Sequence, residues 1–452
     1  MDERTPTFTV WRALRLSSFQ IGSAMGDILV TSIWNRILIT NFGIPATTVG
    51  LLIALRYLLS PLSLWAGNLT DSKRVLGLRR TPIIWLGRAL MVLSLPLLGL
   101  SVLRLGGSSS DVLGWLAALL SSVMYGTGTL ISGSPFLALV RESAPEERQG
   151  LAISIVETIL IIFFALAGIV FSLWMPVYDA RIFWEMIAIT MLVGGFFWVF
   201  AIIGVERRQR PAATTATTTE PRRAPLGVVL REIWSDQRTR RFFTFLSLAT
   251  LAAWVQDAIL EPFGGDVFGL DVGVTTRFNS YWQTATVLTL VLGAALWRKR
   301  SPERQAPIAM AGLAMMAAGL VLLAAAGALG QRHLIELALF VFGGGFGIYT
   351  FGGFSLMAVM SPDRHAGAYL GLWSLSVVVF KGLGALIGGV LRDLFLLSLG
   401  LSPGLSYGLA FLIQALGLIA ALLVLSRTDV LGFARDTGRH VPLAEARAAA
   451  AD

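Results

Sequence analysis

The sequence predicts an all-α integral membrane protein in which twelve transmembrane helices form two six-helix bundles. Three observations support this: 55% of the 452 residues are hydrophobic, only 14% are charged, and long apolar runs occur as six, a break, and six more. A soluble domain carries about 25% charged residues, so this chain has too little polar surface to face water on every side. Lipid is therefore expected to surround most of it.

A helix needs about 20 mostly apolar residues to cross the hydrocarbon core of a bilayer. The first six runs of this kind lie near 16–41, 46–69, 82–103, 112–139, 150–173 and 182–205. The second six lie near 242–263, 277–297, 306–328, 334–360, 366–391 and 404–426. The polar stretch before the first run does not resemble a cleaved signal peptide, so we expect the first helix to be retained.

The break between the runs divides the chain into four regions. These are an N-terminal bundle (1–205), a linker (206–240), a C-terminal bundle (241–428) and a tail (429–452). The linker contains PAATTATTTEPRRAP, which has no apolar side chain larger than alanine or proline and cannot build a core. The following segment, 226–241, has the apolar spacing of a short amphipathic helix on the membrane surface. The alanine-rich tail is expected to be soluble and mobile.

The basic residues predict the orientation of the chain. Loops on the side of the N-terminus hold 27 of them. The opposite loops hold only five, which are Arg104, Arg181, Arg277, Arg332 and Arg392. Lysine and arginine accumulate in cytoplasmic loops, so both termini and the linker are predicted to be cytoplasmic. The net charge of +9 is therefore a topology signal and does not indicate a nucleic-acid partner.

Matching loops in the two halves indicate an internal repeat. PEERQG (Pro145–Gly150) precedes the fifth run, and PDRHAG (Pro362–Gly367) precedes the eleventh with the same proline–glycine spacing. The offset between the two is 217 residues. Parallel repeats of this kind predict two halves related by an axis along the membrane normal, with a cavity between them.

The loop between the second and third runs, GNLTDSKRVLGLRR, resembles the signature loop of the major facilitator superfamily. The residues that carry the resemblance are Gly67, Asp71, Lys73, Arg74, Gly77, Arg79 and Arg80. An aspartate at a helix end can pair with arginines, and such a latch can hold one conformation and release it in another. The alternative is a basic loop kept by the positive-inside bias alone.

Several ionisable residues lie inside the predicted helices. They are Asp27, Arg36, Arg56, Glu157, Asp257, Glu261 and Lys381. Each costs roughly 2.5–3.5 kcal/mol at the centre of a membrane helix, so they should face the bundle interior. There they could bind a ligand, couple to protons, or form structural pairs between helices.

Spacing refines the expectations for these charges. Arg36 lies nine residues after Asp27, about 13 Å along a helix, so each needs a partner on another helix. Asp257 and Glu261 are four residues apart and should share one helix face. Arg88 and Glu185 are expected to reach an interface by snorkelling. The glycine-rich FGGGFGIYTFGGF and GLGALIGGV are expected at close helix contacts, or else to leave room for a flat ligand or a bend.

Other classes of chemistry are not indicated. The chain has no cysteine and three scattered histidines, so neither thiol catalysis nor a histidine metal cluster is expected. It has no phosphate-cradling nucleotide loop and no histidine-supported nucleophile. We therefore predict no catalytic or metal site and do not expect an enzyme.

Three segments resemble the PucC/LhaA family of bacteriochlorophyll-delivery proteins within the major facilitator superfamily. They are NRILITNFGIP (Asn35–Pro45), DSKRVLGLRRTPIIWLG (Asp71–Gly87) and QDAILEPFGGDVFGLDVGVTT (Gln256–Thr276). The third is the most specific, because a glutamate–proline break followed by paired glycines is not a general transporter feature. The resemblance extends over nearly the whole chain and implies the major facilitator superfamily fold.

The resemblance also implies a function. It suggests a factor of the bacterial plasma membrane that supplies or holds bacteriochlorophyll, or a precursor, while antenna polypeptides assemble. The expected partners are the antenna polypeptides, with pigment-synthesis enzymes as further candidates. The magnesium of such a pigment needs a nitrogen or oxygen ligand, which here could be Asn35, Gln256, a carboxylate, a backbone carbonyl or water. One alternative is a proton-coupled transporter of a small solute that uses Asp27 and Glu261 as carriers. Another is a scaffold for antenna helices that transports nothing.

Overall fold

The computed structural model describes residues 10–72, 74–75, 77–145, 149–206, 231, 234–297, 301–361 and 366–436. In the N-terminal half, α1 comprises Val10–Ser17, Phe19–Asp27, Ile28–Trp34 and Ile37–Asn41, and α2 comprises Ala46–Leu58 and Pro61–Ser72. The next four helices are α3 (Thr81–Gly107), α4 (Val112–Glu142), α5 (Gln149–Trp174) and α6 (Ala180–Ile202).

The C-terminal half repeats the six-helix arrangement. Its first helix, α7, comprises Gln237–Ala253, Val255–Ala258 and Leu260–Phe268. Next come α8 (Val272–Trp297), α9 (Ala306–Leu329), α10 (Leu334–Val359), α11 (Ala366–Asp393) and α12 (Pro403–Ser426). The twelve predicted runs therefore each coincide with one helix or one interrupted helix.

The length and hydropathy of the helices fit a multi-pass membrane protein. Nine of them, among the described residues, are long and apolar enough to cross a bilayer, and the bent α7 would make ten. The other two crossings are α1, which is interrupted, and α8, whose first turns carry polar side chains such as Arg277 and Asn279. Apolar side chains also cover much of the outer surface, as expected where lipid is the solvent.

Two of the helices that line the seam between the halves are irregular. In α1, π-helical turns span Ile28–Trp34 and Ile37–Asn41, on either side of Asn35 and Arg36. In α7, a 3₁₀ turn (Val255–Ala258) is followed by a bend of 43°. Such π and 3₁₀ interruptions often mark functional positions, because they redirect side chains away from the regular helical face.

Helices of the two halves meet along a seam. We call the side where α1 begins and α12 ends the terminal face, and the other side the opposite face. The principal contacts across the seam are α2 with α11 and α5 with α8. Hydrogen bonds that cross it between described residues lie toward the opposite face, for example from Gly273 N to Pro176 O (3.0 Å). The seam is therefore held closed at the opposite face.

Glycines of α10 and α11 lie at close helix contacts, which is the first of the two expectations stated for them. A Cβ placed on Gly343 of α10 would lie 2.0 Å from the carbonyl oxygen of Trp282 in α8. One placed on Gly388 of α11 would lie 2.0 Å from the carbonyl oxygen of Val255, and one on Gly389 would lie 2.3 Å from that of Ala46. Only glycine allows α11 to approach both α7 and α2 this closely.

The structure corrects the expected tail and linker. Val430–Asp436 form a further helix, α13, whose Phe433 and Ala434 are buried against the C-terminal bundle, so the tail does not begin at 429. The C-terminal bundle begins at Gln237 and not at 241. Most of the predicted amphipathic segment 226–241 lies outside the described residues.

Candidate functional site

An ion pair occupies the middle of the N-terminal half. Arg56 Nη1 of α2 lies 3.1 Å from Asp27 Oδ1 of α1, and the two side chains are 9% and 26% exposed. Tyr125 of α4 donates its hydroxyl to the same Asp27 oxygen at 3.0 Å, and Arg56 Nη2 donates to the hydroxyl of Tyr57 at 2.5 Å. The expectation that Asp27 needs a partner on another helix is confirmed.

The C-terminal half contributes a second group of charges to the same level of the seam. Lys381 Nζ of α11 lies 3.5 Å from the ring centroid of Trp254 in α7 and 4.9 Å from that of Tyr57. Asp257, one turn after Trp254, is within electrostatic range of Lys381, Arg56 and Asp27. Its Oδ2 atom is buried and has no hydrogen-bond partner among the described residues.

We call these residues the central cluster: Asp27, Arg56, Tyr57, Tyr125, Trp254, Asp257 and Lys381. Its members come from α1, α2, α4, α7 and α11, and each charged member lies near the middle of its helix. Asp27, Tyr57, Trp254, Asp257 and Lys381 are only partly buried. Cation–π contact and ion pairing both reduce the cost of placing these charges at membrane depth.

An aromatic surface adjoins the cluster in the C-terminal half. The ring centroid of Trp254 lies 5.8 Å from that of Phe346 in α10 and 6.2 Å from that of Trp282 in α8. Trp282 and Phe346 are 5.6 Å apart and nearly perpendicular. We call Trp254, Trp282 and Phe346 the aromatic wall. The wall could not be predicted from the sequence, because aromatic residues on three separate helices show no common spacing along the chain.

Glu261 does not belong to the central cluster. Its side chain is 3% exposed and accepts a hydrogen bond from Asn279 Nδ2 of α8. The expectation that Asp257 and Glu261 share one helix face is wrong, because the 3₁₀ turn and the bend at Ile259 separate them. Asp257 faces Lys381 of α11, and Glu261 faces α8.

Three other predicted site residues are buried: Asn35 and Arg36 lie in the closed part of the seam, and Gln256 lies inside the C-terminal half. Asn35 is fully buried and donates from Nδ2 to Ala258 O at 3.0 Å. Arg36 donates to Asn41 Oδ1 at 2.9 Å and to Leu270 O at 2.8 Å. Gln256 is 4% exposed and accepts a hydrogen bond from Gln414. In this conformation these side chains join α1 to α7 and α7 to α12, and none is open to a ligand.

A polar network at the opposite face was not singled out from the sequence. Asp393, the last residue of α11, accepts from Ala46 N (3.1 Å) and Thr47 N (2.7 Å) at the start of α2. Arg392 forms ion pairs with Asp393 (Nη1–Oδ1, 2.9 Å) and with Asp266 of α7 (Nη2–Oδ2, 2.7 Å). We call Asp266, Arg392 and Asp393 the opposite-face lock, since Asp393 caps a helix of the other half. Arg392 is thus an interior residue and not a loop residue.

The signature loop is held by carboxylates of its own half. Arg80 forms a bidentate pair with Glu142 of α4, with Nη2–Oε1 and Nε–Oε2 distances of 2.5 and 2.9 Å. Gly77 has φ +79°, a left-handed conformation that favours glycine. Gly67 of α2 faces Ser134 of α4, a Cβ there lying 3.4 Å from its Oγ. Arg74 and Arg79 are exposed, and Lys73 and the side chain of Asp71 lie outside the described residues. The latch therefore stays a prediction.

Glu206, at the end of α6, caps the helix that follows the signature loop. Its carboxylate accepts the backbone N–H groups of Arg79 (2.6 Å), Arg80 (3.1 Å) and Thr81 (2.9 Å). Burial alone would raise the pKa of Glu206, but the hydrogen bonds from Thr81, Arg79 and Arg80 outweigh it and hold the pKa below its usual value. Glu206 was predicted to lie in the linker, and this contact was not predicted.

Arg88 does not snorkel to an interface. It is 6% exposed inside the N-terminal half, where Nη1 donates to Ser23 Oγ at 3.1 Å. Its guanidinium lies 4.2 Å from the ring centroid of Phe19 and 5.1 Å from that of Trp198. Glu185, by contrast, is partly exposed and pairs with Arg181 four residues earlier at 3.1 Å.

The described part of the chain has no group of three histidine, cysteine, aspartate or glutamate side chains that could hold a metal ion by themselves. A ligand that brings its own metal needs only one donor from the protein. Asp257 is the group best placed for this, because its side chain is partly exposed and lies one turn from the aromatic wall, although its unpartnered Oδ2 atom is itself buried.

Comparison with known proteins identifies relatives over most of the chain. The model of a family described as "PUCC protein" matches residues 33–431. Protein PucC of Rhodovulum sulfidophilum is 28% identical over 396 residues, which cover 84% of this chain and 85% of that protein. The "Bacteriochlorophyll synthase 44.5 kDa chain" of Rhodobacter capsulatus is 29% identical over 418 residues, covering 91% and 93%.

Solved structures with the same fold are membrane transporters. A mutant of the nucleoside transporter NupG superposes with a TM-score of 0.67 at 12% identity, covering 92% of this chain and 100% of that one. A bacterial homolog of the human lysosomal transporter Spinster, inward-facing and unoccupied, gives a TM-score of 0.61 at 16% identity, covering 95% and 96%. At these identities the likeness shows the fold alone, and it confirms the predicted major facilitator superfamily fold.

Proposed function

Because the chain belongs to the PUCC protein family, as the sequence predicted, we propose that it is a membrane assembly factor for bacterial light-harvesting antenna complexes. It would bind bacteriochlorophyll, or a precursor, and deliver the pigment to antenna polypeptides. The family match over residues 33–431 is the single observation that carries this proposal. The name of the Rhodobacter capsulatus relative, a bacteriochlorophyll synthase chain, supports the connection with the pigment.

The chemistry of the aromatic wall suits a chlorin. Such a ligand is flat and apolar, so it packs well against Trp254 and Phe346, which are partly exposed. Its magnesium prefers an oxygen ligand, and the carboxylate of Asp257, whose buried Oδ2 atom has no partner in the described structure, would supply one after a local movement exposes that atom. Asn35 is buried in the seam and could serve only after the halves move apart. Gln256 is buried between α7 and α12 of the C-terminal half, where it contacts Gln414.

The arrangement of the seam suggests how the pigment would enter and leave. The 27 basic residues in loops on the terminal side support a cytoplasmic terminal face, with both termini in the cytoplasm of a bacterial plasma membrane. The opposite-face lock would then close the bundle on the outer side, and the central cluster would be approached from the cytoplasm or from the inner leaflet. Antenna polypeptides and pigment-synthesis enzymes are the proposed partners. We propose no catalytic role.

An absorption spectrum of the detergent-purified protein from its native host tests this proposal directly. The wild-type protein should carry bacteriochlorophyll or a precursor through purification. Asp257→Ala should lower the bound pigment per protein several-fold, whereas Glu185→Ala, a matched carboxylate loss outside the seam, should leave it unchanged. A colourless wild-type protein would overturn the binding role, and normal antenna levels after deletion of the gene would overturn the assembly role.

The alternative is a proton-coupled secondary transporter of a small solute. One observation favours it: Glu261 is buried at membrane depth with Asn279, and a carboxylate in such a place can carry a proton between conformations. Proteoliposomes would then take up solute when a pH gradient is applied, and Glu261→Gln would abolish the uptake. A pigmented protein without pH-driven uptake would decide against this alternative.

A further inference from the structure

A basic pocket lies at the terminal face between the beginning of α7 and the end of α12, away from the central cluster. Its volume is about 340 Å³, and it is lined by Gln237, Arg240, Arg241, Thr244, Val424 and Arg427. Three of these six residues are arginines, and the glutamine adds an uncharged hydrogen-bond donor, whereas the Thr244 hydroxyl donates to Arg240 O at 3.0 Å. A pocket of this composition fits an oxyanion with several acceptor oxygens.

Among the described residues, the arginines of the pocket contact backbone carbonyls and no carboxylate. Arg240 Nη1 donates to Trp234 O at 3.4 Å and Arg241 Nη1 to Arg427 O at 2.9 Å, and both acceptors are uncharged backbone carbonyls. None of the three arginines forms an ion pair with a described carboxylate. The nearby carboxylates Asp236 and Asp436 instead form ion pairs with Arg238, with Nε–Oδ1 and Nη1–Oδ2 distances of 3.6 and 2.7 Å. The pocket therefore keeps a positive charge that an anion would balance.

The pocket lies at the ends of two apolar helices, where the headgroups of a bilayer are expected. Arg240 and Arg241 stand just before the apolar part of α7, and Arg427 follows the last residue of α12. Trp234 beside the pocket is 52% exposed and packs edge-on against Phe243, with 5.5 Å between the ring centroids. Exposed tryptophan is characteristic of the membrane–water boundary.

An exposed apolar strip runs from the pocket toward the middle of the membrane. Leu423, Ile419 and Leu416 lie four, eight and eleven residues before Arg427, on the same face of α12. Their side chains are 50%, 43% and 63% exposed. A molecule whose phosphate occupied the pocket could lay its acyl chains along this strip.

We propose that this pocket binds the phosphate headgroup of an anionic phospholipid from the leaflet at the terminal face. Arg240, Arg241 and Arg427 would contact the phosphate oxygens, and the strip on α12 would contact the acyl chains. Basic pockets between membrane helices are known to bind acidic lipid headgroups. The bound lipid would join α7 to α12 at the end of the C-terminal bundle where α13 also packs.

Delipidated full-length protein in detergent provides the test. Dioleoyl-phosphatidylglycerol should remain bound in native mass spectra and raise the unfolding temperature, and dioleoyl-phosphatidylcholine should do neither. The double variant Arg240→Gln/Arg427→Gln should weaken phosphatidylglycerol binding roughly thirtyfold, since each arginine near an anionic membrane contributes several-fold. Arg240→Lys/Arg427→Lys, which keeps both charges, should lose much less.

The matched control is Arg181→Gln/Arg332→Gln, which removes two exposed arginines from the opposite face and should bind phosphatidylglycerol like wild type. Equal unfolding temperatures of the lipid-free variants would show that the pocket variant folds. Equal binding of the two lipids by wild type, or unchanged binding by the Arg240/Arg427 glutamine variant, would overturn the proposal. Competition by soluble glycerol phosphate as strong as that by the lipid would also overturn it, because the site would then take a free phosphate.

Discussion

At the scale of single residues, the pair of Asp27 and Arg56 shows how the chain keeps charges at membrane depth. Arg56 is almost fully buried, and its guanidinium contacts one carboxylate and the hydroxyl of Tyr57. Tyr125 of α4 donates a hydrogen bond to the same carboxylate. Removing one partner of such a pair leaves the other buried and uncompensated, which costs more than the pair itself contributes.

We therefore expect Asp27→Asn to destabilise the protein by about 3 kcal/mol or more, because it leaves the Arg56 charge without its counter-ion. The measurement is the unfolding midpoint in a denaturant titration of the detergent-solubilised protein. The double variant Asp27→Asn/Arg56→Gln should recover part of the loss, since no lone charge remains. A single variant as stable as wild type would show that Arg56 finds water or another partner.

Glu206 gives a pH-dependent prediction for the signature loop. The pKa of Glu206 is lower in the folded protein than in the unfolded chain, where it is about 4.3. The cap therefore contributes its full stability above the unfolded pKa, and this contribution is lost as the pH falls through the lower folded pKa. Hydrogen exchange of the backbone amides of Arg79, Arg80 and Thr81 should become faster relative to the rest of α3 below about pH 4. Glu206→Gln should show the faster exchange already at pH 7, and equal protection in the variant would contradict the cap.

At the scale of helices, α7 and α11 determine the shape of the seam. The 3₁₀ turn and bend in α7 turn Asp257 toward α11 and leave Glu261 facing α8. In α11, Gly388 and Gly389 allow the carbonyl groups of Val255 and Ala46 to approach from either side. An interrupted helix next to a glycine-rich one therefore brings the charged groups of both halves to the same level.

We predict that Gly388→Ala separates α11 from α7, because the added Cβ would lie 2.0 Å from a backbone oxygen that cannot rotate away. The unfolding temperature should fall, and bound pigment should be lost as Lys381 and Trp254 move apart. Gly371→Ala on the same helix has nothing within 4 Å of its Cβ and is the matched control. Similar stability of the two variants would mean that the helices shift to accommodate the methyl group.

At the scale of the whole molecule, two six-helix halves meet most closely at one face. Asp393 of one half caps the helix that begins at Ala46 of the other, so opening this face would uncover two backbone N–H groups and a carboxylate at once. The cost of uncovering them favours the conformation that is closed here. A conformational cycle would need a ligand or a proton to offset that cost.

Site-directed labelling tests the orientation proposed for the two faces. The chain has no cysteine, so a single one introduced at Ser109, in the loop before α4, reports on the opposite face. In intact cells a membrane-impermeant thiol reagent should label Ser109→Cys and should leave Ser235→Cys, at the terminal face, unlabelled until the cells are opened. The reverse pattern would invert the topology and remove the cytoplasmic route proposed for the pigment.

The sequence alone determined the twelve long apolar helices, their repeat as two halves and the family. Hydropathy, loop charges and local motifs are properties of neighbouring residues, and the bilayer imposes a nearly fixed length on each crossing. The segments around Asn35 and Gln256 carried enough local pattern to identify the relatives. The same local information indicated that Asp27 and Lys381 should face the interior.

Only the tertiary structure decided which of these residues meet. Glu206 and Thr81 are 125 residues apart, and Asp393 and Thr47 are 346 apart, so no spacing in the sequence connects them. Interruptions in α1 and α7 also change which side chains share a face, and they depend on how neighbouring helices pack. The composition of the central cluster is therefore a consequence of packing between the halves, which the sequence of either half does not specify.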